Sequence, residues 1–134
     1  MKDKSIGAVI LAAGKGTRMN SDLAKVLHPI GGRPMLAYSV DLARAVGAER
    51  IVAVIGHQAQ QVRELCAAPG LLFVEQRPQL GTGHAVLQAR EAFSGFAGRV
   101  LILCGDVPLL KTATIAALID HHDATGAAVT VMTV

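Results

Sequence analysis

The run Leu11-Ala12-Ala13-Gly14-Lys15-Gly16-Thr17-Arg18-Met19, followed by Lys25 and then by Gly31-Gly32-Arg33, gathers glycines and cations directly after an apolar stretch. Glycine lets main-chain N–H groups approach phosphate oxygens where a side chain would stand in the way, and Lys15, Arg18 and Lys25 add mobile or forked donors. Such a loop suits an electropositive cradle for a triphosphate. It is neither of two common phosphate loops: there is no G-x-x-x-x-G-K-[ST], and Met19 stands where a dinucleotide fingerprint needs its third glycine.

Two further segments carry chemistry. In Gln76-Arg77-Pro78-Gln79-Leu80-Gly81-Thr82-Gly83-His84-Ala85, the Gln76 amide and a peptide unit at Gly81 can donate and accept toward a planar base, and Thr82 reads as the N-cap of a following helix. In Cys104-Gly105-Asp106-Val107-Pro108, a carboxylate just past an apolar strand is suited to a hard divalent cation beside bound phosphates. Each segment alone also fits an ordinary turn: solvated lysines in the first, a capped helix in the second, a Gly-Asp turn in the third. Their common position after strands of one sheet favours the joint reading of cation, base contact and metal ligand at a single edge.

The elements that must hold these segments follow from the apolar pattern. Ile6 to Ala13, Ile51 to Ile55, Leu71 to Val74, Val100 to Cys104 and Ala128 to Val134 lack polar alternation, as strands covered on both faces do. Helical stripes run from Pro34 to Val46, with Gly47 as the stop, and over Ala59 to Ala67, Thr82 to Phe93 and Thr112 to Thr125. Strand and helix in alternation predict an α/β fold, a Rossmann-like, doubly wound, mostly parallel sheet with helices on both faces. Ligands of such sheets bind beyond the carboxyl ends of the strands.

Composition excludes several classes. The 134 residues are 51% hydrophobic and 17% charged, too apolar for disorder, yet no apolar run approaches the roughly 18 residues of a membrane span. With 3% aromatic residues there is no set of stacking platforms for nucleic acid. The net charge of +3 is concentrated in residues 1–50, with eight basic and four acidic side chains, which suits a phosphate-bearing small ligand better than a polyanion. Cys66 and Cys104 show neither metal nor redox spacing, and a reducing cytoplasm is the expected location. Adjacent His121 and His122 point about 100° apart on a helix and read as a solvated face, whereas His84 is open between ligand contact and packing. The apolar run from Ala127 to Val134 suggests that residues 1–134 are a segment of something longer.

The first run, then Ser21-Asp22-Leu23-Ala24-Lys25-Val26-Leu27-His28, Gln79-Leu80-Gly81-Thr82-Gly83-His84-Ala85 and Gly105-Asp106-Val107-Pro108-Leu109, closely resemble the sugar-nucleotide pyrophosphorylases. Among these nucleotidyltransferases the likeness is greatest to the N-terminal uridylyltransferase domain of the bifunctional bacterial enzymes that make UDP-N-acetylglucosamine. The resemblance implies transfer from UTP to N-acetylglucosamine 1-phosphate with Mg²⁺, in cell-wall precursor synthesis. It implies that Leu11, Ala12, Ala13 and Gly14 lie against the nucleotide, that Arg18 and Lys25 act on the phosphates as catalytic residues, and that Gln76, Gly81 and Thr82 recognise uridine. Gly105 would sit beside the ribose and Asp106 would hold Mg²⁺.

It also implies a homo-oligomeric full-length parent, and it places the second metal ligand, most sugar contacts and an acetyltransferase domain beyond position 134. Residues 1–134 would then be the N-terminal nucleotide-binding part of a nucleotidyltransferase domain, weakly active or inactive alone. Ala24 stands where family members often have proline, which loosens the loop without removing the charge of Lys25. The other readings are a nucleotidyltransferase for a different base or sugar, and a nucleotide-binding module without turnover.

Overall fold

The computed structural model describes residues 3–133. Four parallel strands form its main sheet: β1 (Ile6–Ala12), β4 (Ala48–Ile55), β5 (Leu71–Glu75) and β6 (Arg99–Cys104), in the spatial order β5-β4-β1-β6. Between β1 and β4, the short strands β2 (Pro29–Ile30) and β3 (Arg33–Pro34) pair antiparallel as a hairpin. The helices are α1 (Met35–Ala45), α2 (Ala59–Cys66), α3 (Thr82–Gln88) and α4 (Thr112–Thr125).

Continuous apolar runs place β1 at the centre because both of its faces are buried. Ala8, Ile10 and Ala12 face Leu36 of α1, Val62 of α2 and Ile115 of α4 in one core. Val9 joins Val52 and Val54 of β4 against Ala85 and Ala89 of α3 in the other. Helices therefore cover both faces of β1 and β4, with α3 and the 3-10 turn Glu91–Phe93 on the second, while Val100 and Ile102 of β6 stay about half exposed. Ile10 and Leu36 are fully buried, and truncating such side chains to alanine typically costs about 2–5 kcal/mol.

Chain order explains where a ligand can enter. The connection from β1 runs to β4 on one side, and the chain later crosses from β5 back to β6 on the other side of β1. The direction switches between β1 and β6, and their carboxyl ends open a crevice there. Ser39, buried in α1, donates from Oγ to the Cys104 carbonyl at 3.2 Å and ties the end of β6 to the first core.

Three expectations need correction. The segment 128–133 forms no strand: it lies beside β6 and α4 along a groove of about 700 Å³, and Val129 and Val131 are mostly exposed. A β-branched run becomes a strand only where a ladder receives it, and this one makes none; Val134 lies outside the described residues. Gly31-Gly32, read as part of the phosphate loop, instead form the hairpin turn between β2 and β3, with φ of 58° and 80°. Consecutive positive φ values are what a two-residue hairpin turn requires. His122 is not simply solvated, because its Nδ1 is 2.8 Å from Thr130 Oγ1.

Burial pushes the Cys66 thiol above its ordinary pKa; Cys104 is raised first by partial desolvation and second by the Asp106 carboxylate. The folded state holds these protons more tightly than the unfolded one. Its stability is whole below the ordinary thiol pKa of about 8.5 and falls as pH rises past it. The melting temperature of Cys66→Ala is therefore expected to decline less than that of the wild type between pH 7.5 and 10. Parallel curves would show that the Cys66 proton is not held by the fold.

Candidate nucleotide-binding site

At the carboxyl ends of β1 and β6 lies a cleft of about 570 Å³ lined by Leu11, Ala12, Ala13 and Gly14 on one wall. Arg18 and Lys25 line it from the following loop, Gln76, Gly81 and Thr82 from the loop into α3, and Asp106 from beyond β6. Segments up to 95 positions apart in sequence thus share one opening. Gly105 lies beneath rather than on the wall: its N–H donates to the Leu11 carbonyl at 2.9 Å, extending the β1–β6 ladder. A Cβ there would come within 3.1 Å of that carbonyl and 3.2 Å of Val26 Cγ1, so only glycine seats easily. Lys15 is exposed but does not line the cleft.

The loop geometry depends on Gly16. Its φ of 62° favours glycine, and a Cβ would fall 2.6 Å from Lys25 Cβ, so the side chain's absence is what lets Lys25 sit against the loop. Thr17–Met19 then make one 3-10 turn that carries Arg18 to the rim. Lys25 opens a second such turn, whose Val26 and Leu27 are buried and anchor it. Gln58, before α2, clamps the approach: its Oε1 accepts from the Ala24 N–H and its Nε2 donates to the Asp22 carbonyl, both at 2.5 Å. Sequence reading missed this residue, since a contact across 34 positions leaves no local signal.

Lys25 and Asp106 meet directly, with Nζ 2.8 Å from Oδ2 and each side chain a little over one third exposed. A pair that wet contributes only about 0–1 kcal/mol, which leaves it easily opened by a ligand. A carboxylate oxygen is the hard donor that a divalent cation takes, and the cation would replace Lys25 as the partner of Asp106. Among the described residues no three His, Cys, Asp or Glu side chains cluster to hold a metal alone. A single carboxylate suits Mg²⁺ when substrate phosphates and water supply the remaining oxygens. Asp106 is the residue that could hold it.

On the opposite wall Gln76 is 3% exposed, and its Nε2 donates to the Gly81 carbonyl at 3.0 Å while standing 2.9 Å from His84 Nδ1. The Gly81 carbonyl also accepts from the Ala85 N–H at 3.0 Å. The groups left to meet a ligand are Gln76 Oε1, an acceptor, and the Gly81 N–H, a donor. Gly81, with φ of 104°, is itself the N-cap of α3. Thr82 is thus the first helical residue, not the cap, and no side-chain capping bond forms, because the glycine's extended turn occupies that position.

A parallel sheet with a glycine- and cation-lined crevice at its switch point is the arrangement of doubly wound nucleotide-binding folds. Residues 8–134 match the family model described as the MobA-like NTP transferase domain, and the chain belongs to that family. It is 57% identical over 129 residues to the bifunctional protein GlmU of Geobacter metallireducens, a match that covers 96% of this chain and 27% of that protein. The chain thus spans about a quarter of the length of the curated relatives it matches. Among solved structures, a nucleotidyl transferase from Methanothermobacter thermautotroptrophicus superposes with a TM-score of 0.74 at 26% identity, covering 89% of this chain and 58% of that one. The manganese complex of Rv0371c from Mycobacterium tuberculosis superposes with a TM-score of 0.65 at 26% identity, covering 90% and 61%.

Proposed function

We propose that these residues are the nucleotide-binding portion of a uridylyltransferase that joins UTP and N-acetylglucosamine 1-phosphate into UDP-N-acetylglucosamine and pyrophosphate, working in the cytoplasm. The observation that carries the proposal is the sharing of one cleft by the Lys25–Asp106 pair and the Gln76–Gly81 edge. Uracil presents an N–H at N3 beside carbonyl oxygens, which complements Gln76 Oε1 as acceptor and the Gly81 N–H as donor. The choice of sugar phosphate rests on the sequence resemblance.

In the reaction, a phosphate oxygen of the sugar phosphate attacks the α-phosphorus of UTP. The bond from that phosphorus to the bridging oxygen breaks, and pyrophosphate leaves with the electron pair. No proton transfer and no covalent enzyme intermediate are required. Two anions must be brought together, so the work of the chain is positioning and charge compensation. Leu11–Gly14 form the wall for the nucleoside and offer loop amides, while Arg18 and Lys25 hold the phosphates. Asp106 would hold Mg²⁺, which, when bound, supplies neutralisation of the phosphate oxygens.

The test follows pyrophosphate release with N-acetylglucosamine 1-phosphate, Mg²⁺ and, in turn, UTP, CTP, dTTP and ATP, in a polypeptide carrying this segment within the full length of its relatives. Release is expected with UTP well above the others. Preference for another nucleotide would assign a different transferase, and tight UTP binding without release would make the segment a binding module.

A further inference from the structure

His84 is outside the cleft wall, behind Gln76, and the contacts around it fix more than its own position. Gln76 Nε2 lies 3.0 Å from the Gly81 oxygen, which can only accept, so the amide must turn its nitrogen that way. The same nitrogen lies 2.9 Å from His84 Nδ1, which must then offer a lone pair. The ring proton then belongs on Nε2, which stands 3.2 Å from the Gln88 amide nitrogen, one helical turn along α3; the half-buried Gln88 amide must turn over or swing away to accommodate it, whereas the buried Gln76 amide is held. Reversing the Gln76 amide would set Oε1 against the Gly81 oxygen and leave Nδ1 facing an oxygen.

We propose that His84 is a positioning residue for base selection: by accepting from the Gln76 amide nitrogen, together with the Gly81 carbonyl, it keeps Gln76 Oε1 as the acceptor offered to the base. An acceptor there favours a pyrimidine with N–H at N3, as in uracil, over one with a lone pair there, as in cytosine. The proposal rests on the uridine reading above and supplies the device that enforces it. Gln76 is nearly fully buried, so a reversed amide cannot simply be satisfied by bulk water, and the two hydrogen bonds act as a lock.

Titration calorimetry of the protein with UTP and with CTP, each with Mg²⁺, tests it in the wild type, His84→Leu and His84→Asn. Leucine removes the acceptor, whereas the asparagine Oδ1 falls near the place of Nδ1 and can accept in its stead. The wild type is expected to favour UTP; His84→Leu should lose about tenfold of the UTP:CTP affinity ratio, the worth of one such hydrogen bond. His84→Asn should regain most of that loss. An unchanged ratio in His84→Leu overturns the role of His84 and leaves the uridine reading standing. A wild type without preference for UTP overturns that reading, and the role of His84 with it. Long-range ¹H–¹⁵N spectra of the wild-type imidazole at neutral pH give a check that needs no variant: the Nε2–H tautomer is expected, and an Nδ1–H tautomer overturns the proposal.

Discussion

Replacing Lys25 with alanine is expected to slow pyrophosphate release by about 10²- to 10³-fold, the usual cost of losing one preorganised contact to charge developing in a transition state. The loss should fall on turnover and not on folding. The Lys25 ammonium is 2.8 Å from Asp106 with more than a third of its side chain in solvent, a pair worth about 0–1 kcal/mol to stability. Its turn is held instead by buried Val26 and Leu27 and by the Gln58 clamp. Arg18→Ala should act in the same direction, since Arg18 lines the same cleft from an exposed turn. Steady-state rates measured beside thermal melts decide the matter. A Lys25→Ala enzyme within about threefold of the wild-type rate would remove the lysine from the phosphates; a large drop in melting temperature would make it structural.

Asp106→Asn is expected to separate two effects of opposite sign. With Mg²⁺ present, UTP binding and turnover should need at least about tenfold more metal, because the charged oxygen is gone while size and shape remain. Without metal, UTP should bind as tightly as to the wild type or a few-fold more tightly. The carboxylate no longer repels the triphosphate, and Lys25, released from its 2.8 Å partner, is free to meet it. Calorimetric titrations with and without Mg²⁺ read both effects. An unchanged metal requirement would take Asp106 out of the metal site. Weaker metal-free binding would mean that the ion pair organises the cleft rather than competing with ligand.

Much of this architecture is legible in the sequence, and the failures have identifiable causes. Unbroken apolar runs mark β1 and β4 because strands covered on both faces need no polar alternation; β5 and β6 carry the same pattern although Leu72, Val100 and Ile102 leave one face about half exposed, which the runs do not reveal. Apolar stripes mark α1 to α4 for the corresponding reason, with α4 beginning at Thr112 and ending at Thr125 as the pattern predicts, whereas α3 stops at Gln88 and the expected stretch to Phe93 continues as a turn and the 3-10 segment Glu91–Phe93. Gly47, with φ of 87° just past α1, is a stop whose chemistry is local and therefore readable. What required three dimensions escaped. Residues 128–133 have strand composition but no ladder to join, and a Gly-Gly pair beside a cationic loop looks like phosphate chemistry until its flanks are seen to pair.

The cleft itself divides in the same way. Gly14, Lys25, Gln76 and Asp106 stand out by residue type and position after strands, and all four line the one opening. Gln58 does not, and His84 is left open between ligand contact and packing, because their relevance lies in hydrogen bonds that the fold creates: Gln58 to a loop 34 positions earlier, His84 to an amide whose orientation a third residue helps to decide.

The most direct test is a crystal structure of the protein with UTP and Mg²⁺. Triphosphate density between the Gly14–Arg18 loop and Lys25, uracil N3 against Gln76 Oε1 and a metal on the Asp106 carboxylate are the expected result. A nucleotide lodged elsewhere, or its base turned away from Gln76 and its phosphates away from Lys25, would contradict the shared cleft on which the functional reading depends.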